Sequence, residues 1–135
     1  VDSLDSLGRA SIAVTPLAQG LLTNKYLNGI PSDSRAMQEK SLDRGRIADA
    51  LVEALRGLNA IAEARGQTLA QMALAWVLRE GRVTSALIGA SKPEQVVDCA
   101  GAIQNLEFSE DELRRINAYA TDRDLNLWAA SSELA

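Results

Sequence analysis

An α/β fold built on parallel strands is what this sequence of 135 residues predicts. Two short apolar runs rich in β-branched residues, Ser11–Thr15 and Val83–Ile88, have the length and composition of strands. The stretch between them carries helical periodicity, and strands separated by helices pair in parallel through right-handed crossovers. Hydrophobic residues make up 47% of the chain against 24% charged, enough to build a packed core. Two strands alone cannot cover both faces of a parallel sheet, so neighbours must come from a homo-oligomer or from a longer chain. The absence of an initiator Met and an N-terminus that reads as the middle of a helix favour the second source. Residues 1–135 are therefore expected to form one partial domain.

In order, residues 2–9 read as the tail of a helix stopped at Gly8. Strand Ser11–Thr15 follows and ends at Pro16, whose ring excludes Thr15 from the right-handed helical region. A turn and short helix occupy residues 17–27. Residues 28–44, with Gly29, Pro31 and mixed charge, read as a long surface loop, a length often reserved for binding. Ile47, Leu51, Leu55, Leu58 and Ile61 or Ala62 recur at helical spacing, predicting a helix over 45–64 with Gly66 as its stop. Thr68 and Gln71 form a capping-box pair that opens a second, largely apolar helix ended by Gly81. After strand Val83–Ile88, Pro93 suits the first turn of a helix over 93–103. Ser109 with Glu112 caps a last helix to about Ala120, and the tail from Leu125 to Trp128 is irregular.

Composition excludes much chemistry. There is no histidine, which removes Ser-His and Cys-His catalysis and histidine-ligated zinc, and no spaced carboxylate cluster suggests another metal site. The single cysteine, Cys99, forbids an internal disulfide and reads as a small packed residue. With no signal sequence and no apolar run near the roughly 18 residues of a membrane span, a reducing, cytoplasmic location is expected and no membrane contact. The net charge of −4 argues against nucleic acid as a partner. Residues 24–46 stand apart, with five cations (Lys25, Arg35, Lys40, Arg44, Arg46) and three anions, a local +2. Such an island is either an anion site or a solvated loop.

Ligands of α/β folds bind beyond the carboxyl ends of the strands. Two junctions qualify here: Val14-Thr15-Pro16-Leu17 and Leu87-Ile88-Gly89-Ala90-Ser91-Lys92. The second brings a glycine, a hydroxyl, a cation and a helix start together, the parts of an anion site, although an ordinary N-terminal cap has the same composition.

The run from Thr15 to Pro31 resembles the loop after barrel strand seven of aldo-keto reductases, in the branch that includes potassium-channel β subunits and bacterial glyceraldehyde-phosphate reductases. Residues 87–95, Leu-Ile-Gly-Ala-Ser-Lys-Pro-Glu-Gln, resemble that family's phosphate- and adenine-binding segment, and residues 125–132 resemble its C-terminal tail. The resemblance covers essentially the whole chain. It implies the C-terminal part of a (β/α)8 TIM barrel, strands seven and eight with their helices, and an NADP cofactor. Carried over residue by residue, Thr15, Pro16, Leu17, Ala18, Gln19 and Gly20 line the nicotinamide-ribose and pyrophosphate, and Lys25 reaches the phosphates. Ser34 and Arg35 lie against the adenosine phosphate, while Gly89, Ser91 and Gln95 hold the 2′-phosphate and adenine. The family's adenine-binding Glu-Asn is replaced by Asp98-Cys99. Asp98 is shorter yet still an acceptor, whereas a thiol cannot replace an amide that both donates and accepts.

The family's catalytic Asp, Tyr, Lys and His lie on earlier strands. Tyr26 and Tyr119, the two tyrosines present, sit in no such motif, so the resemblance places no catalytic residue in this chain. Trp76 is expected in the core, and Trp128 is a weaker candidate for the border of a substrate pocket. The leading expectation is the cofactor-binding half of an NADP-dependent reductase of small aldehydes, partnered by the missing N-terminal half of the barrel. A non-catalytic NADP-binding regulatory module of the channel β-subunit type is the alternative. A purely structural helical piece leaves both strand-end motifs unexplained.

Overall fold

The computed structural model describes residues 6–18, 22, 23, 27 and 42–120, with 42–48 as backbone alone. Its elements are strand β1 (Ile12–Val14), helices α1 (Leu42–Ala64) and α2 (Leu69–Leu78), strand β2 (Ser85–Leu87), and helices α3 (Pro93–Ala100) and α4 (Glu110–Tyr119). Short 3-10 segments cover Arg79–Gly81 and Gly101–Gln104. No helix among the described residues is long and apolar enough to cross a membrane.

The strands pair in parallel, Ile12 opposite Ser85 and Val14 opposite Leu87. Both are shorter at each end than the apolar runs that predict them, and β1 stops before Thr15, whose backbone is left-handed at φ +55°. Ser11 secures the entrance: its N–H donates to Thr84 Oγ1 at 3.1 Å and its hydroxyl to the Arg82 carbonyl at 3.3 Å. The expectation of a buried first strand holds for one face only. Ala13 and Ala86 turn inward, whereas Ile12 and Val14 are each 66% exposed and Leu87 62%. An apolar sheet face of this kind is open to further strands or to another cover.

The core sits among the helices. Leu55, Leu58, Ile61 and Ala62 of α1 meet Leu69 and Met72 of α2 and Ile116 of α4, and Leu22, Leu27, Trp76 and Phe108 pack around them. From Leu51 onward the predicted periodicity of α1 is thus its inward stripe, each fully covered leucine or isoleucine contributing about 2 kcal/mol, while the side chain of Ile47 lies outside the described residues. Gly66, at φ +71°, closes α1 as expected. Its N–H bonds the Glu63 carbonyl and that of Gln67 bonds Ala62, a Schellman arrangement that satisfies two of the last carbonyls. Both capping boxes form, Thr68 with Gln71 and Ser109 with Glu112. The predicted helix over 93–103 tightens instead into a 3-10 turn after Ala100. Trp76 is half-buried against the core, with the Arg79 guanidinium 3.9 Å above its ring.

Gly57 lies inside α1, where a methyl group would stand 2.4 Å from the ring of Tyr119, which is 37% exposed. Alanine normally gains about 1 kcal/mol over glycine in a helix. Gly57→Ala is therefore expected to stabilise the Tyr119→Ala protein by about 1 kcal/mol and to give little or no gain in the parent. Equal gains in both backgrounds, measured by urea unfolding, would show that this contact does not select the glycine.

Candidate functional site

Parallel register decides where the site lies. Because Val14 stands opposite Leu87, the chain leaves both strands at the same edge. Two motifs more than 70 residues apart in sequence thus become neighbours. They border an open groove of about 1140 Å³, with Thr15, Pro16 and Leu17 on one side and Gly89, Ala90 and Ser91 on the other. Helix α3 adds Gln95, Asp98 and Cys99, and the start of α2 adds Thr68 and Ala70.

The first loop is strained. Thr15 has φ +55° and Ala18 φ +47°. Pro16 does exclude Thr15 from the right-handed helical region, but the backbone goes left-handed rather than extended, an uncommon state for a β-branched residue. Conformations of this sort cost of order 1–3 kcal/mol and cluster at functional sites. A turn bond from Ala18 N–H to the Thr15 carbonyl (3.0 Å) and another from Leu22 to Leu17 (3.2 Å) hold the shape. Farther along, Arg56 of α1 donates from Nε to the Leu27 carbonyl at 2.9 Å, tying this part of the chain to the helical core.

The second loop is organised by Gln95. Its side-chain oxygen accepts from the Ser91 N–H (2.8 Å), the Ser91 hydroxyl (3.2 Å) and the Lys92 N–H (3.2 Å). One amide therefore folds residues 91–95 into a compact turn at the head of α3. Sequence reasoning placed Gln95 on a ligand, and in this structure its acceptor atom serves the loop itself.

Asp98 is also engaged. Thr68 Oγ1 lies 3.2 Å from Oδ2, and Gln71 Nε2 donates to Oδ1 at 3.1 Å and to the Asp98 carbonyl at 2.9 Å. Each carboxylate oxygen keeps a lone pair for a further donor. Burial pushes the Cys99 thiol above its ordinary pKa, and the nearby Asp98 carboxylate adds to the effect. Cys99 is thus a neutral wall of the groove rather than a thiolate nucleophile.

Of the residues singled out from the sequence, Thr15, Pro16, Leu17, Gly89, Ser91, Gln95 and Asp98 border this one groove. Ala18 follows in the same turn without lining it, and Gln19, Gly20, Lys25, Ser34 and Arg35 lie outside the described residues, as do Tyr26 and Trp128. Thr68 and Ala70 were missed. Their only signal was the Thr68–Gln71 capping box, which announces a helix start but not what that start faces.

The chain matches the family model described as "Aldo/keto reductase family" over residues 3–121. It is 52% identical to an L-glyceraldehyde 3-phosphate reductase of Escherichia coli O157:H7 and 53% identical to that of Escherichia coli strain K12, over 98% of the chain in each case. It spans 40% of the length of these relatives.

Proposed function

Because the chain belongs to the aldo/keto reductase family, we propose that it forms strands seven and eight of a (β/α)8 barrel and the cofactor-holding part of an NADP-dependent reductase. The single observation that carries this reading is the convergence of both strand-end loops on one groove. The outer edges of β1 and β2 then pair with strands of the missing half, whose side chains cover the exposed face of Ile12, Val14 and Leu87.

The described groove residues offer polar contacts to the ribose and adenine of a dinucleotide, and in this reading the cations that meet its phosphates are Lys25 and Arg35. Asp98 is the one charged side chain among the described residues that line it, and hydroxyls of Thr15 and Ser91 border it. A Cβ on Gly89 would meet no protein atom within 4 Å, leaving space for close approach to the backbone. Bound NADPH would supply the hydride. This chain's own part is to bind and orient: the strained loop from Thr15 to Ala18 walls the nicotinamide and pyrophosphate end, and Ser91 with the head of α3 faces the 2′-phosphate. Asp98 accepts a hydrogen bond at the adenine end. Gln19, Gly20, Lys25, Ser34 and Arg35 complete the cofactor contacts in this reading, and no residue of the chain is assigned to proton transfer. The substrate is a small, phosphorylated aldehyde, as the relatives' name suggests, and a cytoplasmic location accords with the nicotinamide chemistry. The regulatory-module alternative gains nothing from relatives that are named as reductases.

Calorimetry and a nicotinamide absorbance assay test the proposal. The intact protein should bind NADPH at micromolar or better dissociation constant and reduce glyceraldehyde 3-phosphate, whereas residues 1–135 alone should do neither. Failure of the intact protein to bind NADPH would overturn the cofactor assignment. Turnover by residues 1–135 alone would overturn the placement of catalysis elsewhere.

A further inference from the structure

We propose that the Thr68–Gln71 capping box of α2 is a positioning device for the adenosine end of the groove, holding the Asp98 carboxylate in one orientation toward the ligand. The inference rests on the NADP reading above and extends it to two residues that act through Asp98, Thr68 at the groove wall and Gln71 behind it.

Helix α3 contributes no buried residue, so apolar packing does not fix Asp98. Hydrogen bonds do. The Gln71 amide spans two helices: its oxygen accepts the Thr68 N–H at 3.0 Å, and its nitrogen donates to the Asp98 carbonyl and to Oδ1. Helix α3 ends two residues later, where the Gly101 N–H also reaches the Asp98 carbonyl, so the Gln71 amide is a second donor to a terminal acceptor. Thr68 accepts the Gln71 N–H at 3.2 Å and gives its own proton to the carboxylate. Every polar atom of this arrangement is therefore used, and reciprocal bonds of that kind leave little rotamer freedom.

Gly101 belongs to the device. A Cβ there would stand 2.6 Å from Gln71 Nε2, so a larger residue would make the end of this amide shift from its place. Thr68 and Asp98 both line the groove, which places the clamp at the ligand's border rather than deep in the core. The adjacent Cys99 offers only a weak donor, so Asp98 carries the polar recognition at this end. A carboxylate already oriented saves the ligand the cost of ordering it.

The test measures dissociation constants of the intact protein for 2′,5′-ADP and for nicotinamide mononucleotide. Gln71→Leu and Thr68→Val should each weaken 2′,5′-ADP about tenfold, equivalent to 1.4 kcal/mol, and leave the mononucleotide unchanged. Thr68→Ser, which keeps the hydroxyl, should stay within about twofold of the parent. In an Asp98→Ala background, Gln71→Leu should have no further effect on affinity. Unchanged 2′,5′-ADP binding in either folded variant, or equal losses for both ligands, would overturn the device. Should Gln71→Leu fail to fold, the Thr68 pair of variants decides the matter alone. A parent protein that binds neither ligand would instead sink the NADP reading, and the device with it.

Discussion

Replacing Arg65 with alanine is expected to lower the unfolding free energy by about 2–3 kcal/mol, because four acceptors lose a charged donor while the Glu112 carboxylate left behind keeps 26% of its side-chain surface in solvent. The side chain is 3% exposed and no part of it is idle. Nε donates to Gln67 Oε1 at 3.0 Å, one terminal nitrogen to the carbonyls of Asn105 (3.3 Å) and Glu107 (2.8 Å), and the other pairs with Glu112 at 2.9 Å. The guanidinium carbon also sits 3.7 Å from the centroid of Phe108. Arg65 thus joins the end of α1 to the segment that leads into α4. Lysine cannot reproduce a planar fork that serves four acceptors, so Arg65→Lys should recover less than half of the loss. Urea midpoints measure both variants, and a loss below about 1 kcal/mol for alanine would refute the assignment.

The same pair predicts a response to acid. Burial acts to raise the Glu112 pKa, but hydrogen bonds from Ser109 and the charge of Arg65 outweigh it and hold the carboxyl below its ordinary value. A depressed native pKa means that this contribution is fully present above the unfolded value, near 4.3, and is lost as pH falls through the native one. The parent should accordingly lose stability relative to Glu112→Gln as the solution is taken below about pH 4.5, and the gap between them should close.

At the groove the largest expected effect comes from Gly89→Leu. Position 89 has open space around its missing Cβ and a backbone outside the left-handed region, so folding should tolerate the change within about 0.5 kcal/mol. NADPH affinity of the intact protein should nevertheless fall tenfold or more, at least 1.4 kcal/mol, with Gly89→Ala in between. Full affinity in a folded Gly89→Leu protein would show that the ligand does not pass this edge.

Local rules account for what was legible in the chain. Leu51, Leu55, Leu58 and Ile61 betray α1 because helical spacing alone puts them on one face. Thr68–Gln71, Ser109–Glu112 and Gly66 mark helix ends because caps satisfy backbone groups within a few residues of themselves. The two strand-end motifs were recognisable for a similar reason, since each is a short contiguous run. What these rules do not reach is any contact across the chain. Gln95 and Asp98 stood out as ligand contacts, yet their first partners are Ser91, Lys92, Thr68 and Gln71.

By itself, then, the sequence determined the order and type of the elements, the helix ends and the two candidate loops, because each depends on hydrogen bonding and hydrophobic periodicity over short distances. Only the tertiary structure decided that Thr15 turns left-handed and that both loops open onto one groove. It also decided that Arg65 is a buried hub and that the head of α2 borders the groove beside Asp98. Those outcomes follow from strand register and from helices packing across 30 to 70 residues of chain, distances at which no local pattern names the partner.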